Sequence, residues 1–281
     1  MTIKIVTDSS CDLGIDFVKK NNIEFVPLLL NLDGENIEDD LGKSLGYREF
    51  YDKLREGSMP STSQINIYTF EEKFRELLNV GLSSALSGTF NSANMARNNI
   101  LEENPNAKIS VVDSLSVSMG VGMLVKKSCD MIEEGKDLEY ITTWIEENKN
   151  KVIHSILVDD LKHLKRGGRI SASTAVVGSL LNIKPILKID NNGAVEATEK
   201  IKGKKKALKY LATVVKEKAV NIESETLYIM HGDALEEAQA LKDIILQELN
   251  FKEIKIQYIG TVIGSHGGPG TIATIFWGNE R

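Results

Sequence analysis

The sequence predicts a two-domain α/β fold with an N-terminal, mainly parallel sheet that carries helices on both faces. The C-terminal half is predicted to be an α+β domain with a mixed sheet. Three observations support this: the chain has 281 residues, strands and helices alternate over the first half, and the second half contains a hairpin signal. The polar stretch 146–151 indicates a boundary near Asn150, which gives domains 1–150 and 151–281.

The N-terminal half alternates apolar runs with segments of helical apolar spacing. An acidic, glycine-bearing stretch at 33–46 is predicted to be an exposed loop. Gly135 is the predicted stop between two helices. Strands are predicted at 3–6, 23–30 and 108–112, and helices at 13–20, 47–55, 68–78, 90–102, 117–132 and 138–147.

The C-terminal half mixes a hairpin with helices. Two apolar runs flank Asn191-Asn192-Gly193, and an Asn-Gly turn between such runs is typical of a β-hairpin. Strands are predicted at 152–158, 185–189, 194–198, 226–230, 252–259 and near 271–277, and helices at 160–165, 172–181, 204–218 and 234–249.

Composition excludes several classes of protein. The net charge of −6 argues against a broad nucleic-acid surface, and no apolar run has the length of a membrane span. Two cysteines, Cys11 and Cys129, are too few for a disulfide framework and are predicted to be reduced packing residues. No spacing of Cys and His indicates a metal site. Because no secretory signal precedes the first strand, we expect a cytoplasmic protein.

Two hydroxyl-rich loops are the most informative feature. Ser61, Thr62 and Ser63 follow Pro60, and five Ser or Thr residues lie in 82–93, with the tightest point at Ser87-Gly88-Thr89. Hydroxyls and free backbone N–H groups at helix starts suit a carboxylate or a phosphate. Both loops lack Lys, Arg and His, so they favour binding an acid by hydrogen bonds. Simple helix capping is the alternative interpretation of each loop.

Basic and histidine side chains supply further candidates. His266 lies in a predicted glycine-rich loop at 264–270, whereas His154 and His231 are expected to be structural and His163 to be a surface residue. Arg169 belongs to Arg166-Gly167-Gly168-Arg169, which offers two guanidinium groups for an anion or forms a solvated turn. The lysine run 200–206, which contains Lys202, is predicted to be a solvated helix start; the alternatives are a docking edge or one lysine that reaches the ligand.

Signatures of common enzyme classes are missing from the sequence. It contains no P-loop, no G-x-G-x-x-G after the first strand and no G-x-S-x-G elbow. A hydrolase or transferase that uses Ser87 or Ser63 with His266 stays open as an alternative function. A ligand-sensing regulatory module is a third possibility, although the acidic balance disfavours direct DNA binding.

Five motifs in order resemble the DegV family of bacterial fatty-acid-binding proteins, and the resemblance spans nearly the whole chain. They are Thr7-Asp8-Ser9-Ser10, Pro60-Ser61-Thr62-Ser63-Gln64, 82–89, 165–170 and His266-Gly267-Gly268-Pro269-Gly270. The resemblance implies two α/β domains, with a long-chain fatty acid in a tunnel of the C-terminal domain and its carboxyl group near the domain junction. It also implies a carrier without catalytic activity or another cofactor, which presents that carboxyl group to a fatty acid kinase.

The resemblance also assigns roles to individual residues. Thr62 and Ser87, with Ser63 and Gly88 beside them, would bind the carboxyl group, and His266 would lie close to it. Arg169 would contact the kinase or its phosphate.

Two features depart from the family pattern. Lys202 stands where the family often has an arginine. It keeps the positive charge but lacks the planar guanidinium group that can donate two parallel hydrogen bonds. In addition, 77–81 runs almost directly into Leu82, which predicts a shortened or missing central strand.

Overall fold

The computed structural model describes residues 3–74, 77–170 and 182–281. Its strands are β1 (Lys4–Asp8), β2 (Glu24–Val26), β3 (Leu29–Leu32), β4 (Glu35–Glu38), β5 (Ser61–Ser63), β6 (Leu77–Gly81), β7 (Ile109–Asp113), β8 (Val152–Leu157), β9 (Ile183–Ile189), β10 (Val195–Lys202), β11 (Thr226–His231), β12 (Glu253–Tyr258) and β13 (Ile272–Trp277). Its helices are α1 (Ile15–Lys20), α2 (Tyr47–Glu56), α3 (Ile67–Lys73), α4 (Thr89–Glu103), α5 (Met119–Glu133), α6 (Leu138–Asn148), α7 (Lys162–Arg166), α8 (Lys204–Lys218), α9 (Leu235–Leu246) and α10 (Thr261–Gly267).

The N-terminal half is built on a parallel sheet in the order β2-β1-β6-β7. Successive residues of β1 point to opposite faces, as strand geometry requires. Val6 belongs to the core under α3 and α4, whereas Ile5 belongs to the core that includes α5 and α6. Parallel strands covered on both sides read as apolar runs, which explains why β1 and β7 were predicted close to their observed bounds. The predicted fold class is confirmed here.

The central strand, which the sequence predicted to be shortened or missing, is present in the structure. Strand β6 has five residues, all of them buried, and it pairs with β1 on one side and β7 on the other. The preceding helix α3 ends at Lys73 rather than at 78 as predicted. A short apolar run is compatible with the end of a helix or with a buried strand, and periodicity alone does not separate them.

A second, three-stranded sheet in the order β4-β3-β5 was not predicted. The predicted strand 23–30 is divided between β2 and β3, and the predicted loop 33–46 contains β4. Asp33 and Gly34 have φ of 54° and 91°, which provides the left-handed turn that joins β3 to β4. Strand β5 pairs with β3 so that Thr62 lies opposite Leu30. This sheet therefore fixes the position of the first hydroxyl loop.

The C-terminal half contains a mixed sheet in the order β10-β9-β8-β13-β11-β12, as predicted. Only the β11–β12 pair is parallel, and β9 and β10 form the predicted hairpin around Gly193. Helices α8 and α9 pack on one face, where Ile153 and Leu157 of β8 join their core. The helix predicted at 172–181 lies outside the described residues.

The second face of the mixed sheet meets the N-terminal half through α5. Met123 and Leu124 of this helix share a core with Tyr228, Ala273 and Ile275 of the mixed sheet. The predicted boundary near Asn150 falls at a 3₁₀ turn, 149–151, that leads into β8. The division into two domains at this point stays a prediction. None of the helices in the described ranges is long and apolar enough to cross a bilayer.

Candidate functional site

A cavity of about 230 Å³ lies between the two halves. Its walls come from both sides of Asn150, and not from the C-terminal half alone. The apolar lining residues are Leu28, Leu82, Leu86, Val117, Ile156, Val158, Leu164, Leu187, Ile189, Val195, Ile259, Val262, Ile263, Ala273 and Ile275. The polar ones, together with two glycines, are Thr62, Ser63, Gln64, Ser87, Gly88, Ser118, His154, Arg169, His266, Gly267 and Thr271.

Strands β8 and β13 form much of the apolar wall. On β13, Ala273 and Ile275 line the cavity, and in the antiparallel register they lie opposite Ile156 and His154 of β8. Ile153 and Leu157 of β8 belong to the core with the helices behind the sheet. Strand alternation therefore presents one side of the sheet to the cavity.

Thr62 and His266 meet at the cavity. The Thr62 hydroxyl lies 3.1 Å from Nε2 of His266. His266 lies on the short helix α10, so the prediction that it belongs to a glycine-rich loop is wrong. A Cβ atom at Gly167 would come within 2.2 Å of His266 Nδ1, so this glycine leaves room for the imidazole. Nδ1 of His266 is buried and has no hydrogen-bond partner among the residues that the structure describes.

The second hydroxyl loop reaches the same cavity. Ser87 Oγ lies 2.9 Å from Thr89 Oγ1. It also accepts a hydrogen bond of 3.3 Å from the Thr89 N–H. Gly88 is the residue that precedes α4, and a Cβ atom there would come within 1.9 Å of the Gln64 side chain. The Ile65 N–H in turn donates to Thr89 Oγ1 at 3.4 Å. The two hydroxyl loops are thus in contact, and glycine permits their close approach.

Strand ends hold the second loop in place. The Asp8 carboxylate, at the end of β1, accepts a hydrogen bond of 3.0 Å from the Leu82 N–H. The Ser83 hydroxyl donates to the Gly193 carbonyl at 2.9 Å, which ties the loop to the C-terminal hairpin. Side chains beyond the carboxyl ends of parallel strands are the usual place for a ligand site in open α/β sheets.

The electrostatics of the site favour an uncharged imidazole. Burial and the nearby Arg169 and Arg166 guanidinium groups lower the pKa of His266 to about 4. At neutral pH the polar groups of the site are therefore hydroxyls and a neutral histidine, and the positive charges of Arg169 and Arg166 lie nearby. Arg166 donates to the carbonyls of Pro60 and Ser265 at 3.2 and 3.3 Å, which joins the first loop to α10.

The two predicted partner-contact residues differ in position. Arg169 lines the cavity, and its Nε donates to the Leu86 carbonyl at 2.9 Å. Lys202 is exposed at the end of β10 and does not belong to the described lining. The structure therefore brings Arg169, but not Lys202, to the other predicted site residues. Ser63 lines the cavity beside Thr62 on β5.

Sequence reasoning missed several lining residues. His154 was expected to be only structural, and Gln64, Ser118 and Thr271 were not singled out. His163, expected at the surface, is 5% exposed and therefore buried. Strand alternation would have revealed His154 only if the face of β8 that meets the cavity were known.

The arrangement does not provide a serine–histidine pair within the described ranges. Nε2 of His266 bonds to Thr62, while Ser87 Oγ bonds to Thr89, and no carboxylate of a described residue contacts His266 Nδ1. A nucleophilic serine requires a base within hydrogen-bond reach. Among the described residues, no group of three or more His, Cys, Asp or Glu side chains is arranged to hold a metal ion. Cys11 and Cys129 are buried free thiols.

Comparison with protein families gives a match over nearly the full sequence. The model of the DegV family, described as an uncharacterised protein family, matches residues 2–278. A DegV domain-containing protein of Clostridium perfringens is 44% identical over 284 residues, which cover 99% of this chain and 98% of the relative.

Solved structures share the fold. A structure described as showing fatty acid binding of a DegV family protein from Thermus thermophilus is 32% identical, with a TM-score of 0.88. The match covers 99% of this chain and 100% of the Thermus thermophilus chain. A DegV family protein from Eubacterium eligens, loaded with heptadecanoic acid, is 28% identical, with a TM-score of 0.85 and the same coverage.

Proposed function

Because this chain belongs to the DegV family, we propose that it binds a long-chain fatty acid in the cavity between its two halves. One observation carries the proposal: Thr62, Ser87 and His266 line a cavity whose other walls are mainly apolar. The carboxylate lies at this polar group, and the acyl chain lies along β8 and β13. Two related structures, one described as showing fatty acid binding and one loaded with heptadecanoic acid, support this class of ligand.

Apolar transfer supplies most of the affinity. A fully buried C16 chain gains at most about 12 kcal/mol, at roughly 0.8 kcal/mol for each methylene group. Hydrogen bonds to a charged group contribute about 1.5–3 kcal/mol each. The hydroxyls therefore determine mainly which end of the ligand lies at the junction. Ser63 and Gly88 provide further polar contacts beside Thr62 and Ser87.

We further propose that the protein presents the carboxylate to a fatty acid kinase for phosphorylation to an acyl phosphate. Neutral donors satisfy the carboxylate without an intimate ion pair, so one oxygen stays available to attack a phosphoryl group. The kinase supplies ATP, magnesium and most of the positioning. Arg169 contacts the transferred phosphate or the kinase at the cavity, and Lys202 serves only as a surface contact. The carrier acts in the cytoplasm and needs no cofactor besides its ligand.

Bound lipid is the direct test of the proposed function. We expect purified protein to release a long-chain fatty acid on denaturing extraction, as detected by mass spectrometry. The same protein after delipidation should bind added fatty acid with one site per chain. Well-folded protein that neither contains nor takes up an acyl chain would overturn the proposal.

Thr62→Ala and Ser87→Ala test the polar end. Each removes one hydrogen bond to the carboxylate, so we expect fatty-acid affinity to fall about tenfold, or 1.4 kcal/mol. With a bacterial fatty acid kinase and ATP, acyl-phosphate formation should fall further, because the carboxylate is no longer fixed. Ser84→Ala is the matched control, since Ser84 is exposed in the same loop and does not line the cavity. Equal loss of binding and phosphorylation would contradict the assigned roles.

A further inference from the structure

A single hydrogen-bonded turn, residues 83–87, carries the Ser87 hydroxyl. The Ser83 carbonyl accepts hydrogen bonds from the N–H groups of Leu86 and Ser87 at 3.0 and 3.1 Å, so the turn ends at Ser87. Leu86 and Ser87 both line the cavity. A movement of this turn would therefore move part of the cavity wall and the Ser87 hydroxyl together.

Asp113 holds the start of the turn. It lies at the carboxyl end of β7, is 9% exposed, and its Oδ1 accepts a hydrogen bond of 3.1 Å from the Ser84 N–H. The first N–H groups of a helical turn have no partner within the turn, so a carboxylate beside them acts as an N-cap does. The Ser83 hydroxyl serves the Ala85 N–H in the same way at 3.3 Å. Asp113 therefore ties the turn to a strand of the parallel sheet.

The same oxygen of Asp113 also joins the turn to Leu115. Asp113 Oδ1 accepts from the Leu115 N–H at 3.0 Å, and the Ser83 N–H donates to the Ser116 carbonyl at 3.1 Å. Leu115 has a φ of 49°, a conformation that costs free energy for a residue with a side chain. The hydrogen bond to Asp113, together with one that the Arg281 guanidinium donates to the Leu115 carbonyl, offsets this cost. Leu115 is thus a fixed point beside the turn.

We propose that Asp113 is a positioning residue for the fatty-acid carboxylate and acts through Ser87. One carboxylate accepts from Thr62 and Ser87 together only if both hydroxyls are held in place, because a hydrogen bond weakens steeply as its geometry departs from the optimum. Asp113 does not line the cavity and therefore acts on the ligand only through the turn. The inference rests on the proposed function, in which Ser87 binds the carboxylate.

A double-mutant cycle tests the inference. Delipidated Asp113→Ala, Ser87→Ala and the double variant are titrated with hexadecanoic acid. We expect Asp113→Ala to lower the affinity about five- to tenfold, because the Ser87 hydroxyl is no longer held at the carboxylate. The double variant should bind as Ser87→Ala does, since Asp113 then has no hydroxyl to position. A merely structural role of Asp113 would instead give losses that multiply.

Two conservative variants separate the accepting oxygen from the charge. Both hydrogen bonds at Asp113 use Oδ1, which an amide retains, so Asp113→Asn should largely restore the affinity. Asp113→Glu keeps the charge but moves the acceptor by one methylene group, so it should lower the affinity. It replaces Asp113→Ala in the cycle if the alanine variant does not fold.

Asp137→Ala is the matched control. Asp137 caps α6 by accepting a hydrogen bond of 2.8 Å from the Tyr140 N–H, and it does not line the cavity. Its replacement removes a carboxylate from a backbone N–H without touching the turn, so the affinity should stay unchanged.

Three results would overturn the inference. They are an affinity that neither Asp113→Ala nor Asp113→Glu changes, losses that multiply in the double variant, and an asparagine variant that binds as weakly as the alanine variant. Failure of the wild type to bind hexadecanoic acid would instead overturn the proposed function.

Discussion

Replacing Ala273 with phenylalanine is expected to abolish tight binding of long-chain fatty acids while the protein stays folded. Ala273 lies on β13 opposite Ile156, is 5% exposed and lines the cavity. A phenyl group at this position enters a space of about 230 Å³ that the acyl chain needs. Displacing about four methylene groups costs roughly 3 kcal/mol, or about a hundredfold in affinity.

Chain length provides the sharper measurement for Ala273→Phe. Titration with saturated acids of increasing length should give affinities that rise with each methylene group in wild type. In the variant they should reach a plateau once the chain meets the phenyl ring. Ala240→Phe on the exposed side of α9 is the matched control for added bulk. A variant that binds long acids as wild type does would show that the chain lies elsewhere.

Helix α8 and the hairpin of β9 and β10 were predictable, because the spacing of apolar and turn residues within each segment is enough to indicate its structure. Helix α8 has the predicted bounds, Lys204–Lys218, since its apolar residues recur at helical spacing. The hairpin around Gly193 was predictable because a left-handed turn demands glycine or asparagine. Strand β5 was not predictable from the sequence, since Ser61–Ser63 has no apolar residue and forms a strand only through pairing with β3.

Helix α10 shows a second limit of sequence reasoning. Its glycines suggested a flexible loop, but a Cβ atom at Gly264 would come within 2.5 Å of the Tyr51 hydroxyl. Here the glycine allows a helix to pack closely against Tyr51, and it does not form a turn. The position of His266 therefore depended on a distant residue that no local pattern reveals.

Only those residues of the candidate site that belong to sequence motifs were predicted. Thr62, Ser87 and His266 line one cavity, and their proposed role as carboxylate ligands stays a prediction. His154 could not be found in the same way, because a lone histidine on a strand gives no sign of which face meets a cavity. The sheet register, which pairs His154 with Ile275, supplies that information.

Three carboxyl groups are buried together at the edge of the parallel sheet. Asp8, Asp12 and Asp39 are between 2% and 7% exposed, and none forms an ion pair with a described residue. Asp12 accepts hydrogen bonds from the Gly260 N–H at 3.1 Å and from the Ser118 hydroxyl. It therefore links the N-terminal half to the start of α10, which carries His266.

The charge on Asp12 is unfavourable in the folded protein. Burial raises its pKa from 3.8 to about 8; the charges of Asp39 and Asp8 add to this effect, and the hydrogen bonds from Ser118 and Gly260 oppose it. Burial likewise raises the pKa of Asp39 to about 6. Between pH 4 and pH 8 the folded state binds more protons at Asp12 than the unfolded state does. The free energy of unfolding therefore decreases as pH rises through this window, and the loss is complete above pH 8.

Asp12→Asn is expected to stabilise the protein at alkaline pH. The amide keeps the size of the side chain, its oxygen accepts from Gly260, and its NH₂ group donates to Ser118. At pH 8.5 we expect a gain in unfolding free energy of up to several kcal/mol, because each pKa unit corresponds to about 1.4 kcal/mol. The gain should shrink towards pH 4, where Asp12 of the wild type is protonated in the folded protein.

Urea unfolding at a series of pH values measures this difference. Asp130→Asn is the matched control, because Asp130 is exposed on α5 and its substitution should change the unfolding free energy little. If Asp12 were instead an ionised anchor stabilised by its two donors, Asp12→Asn would destabilise the protein most at alkaline pH. The sign of the change at pH 8.5 therefore decides whether burial or hydrogen bonding controls this carboxyl group.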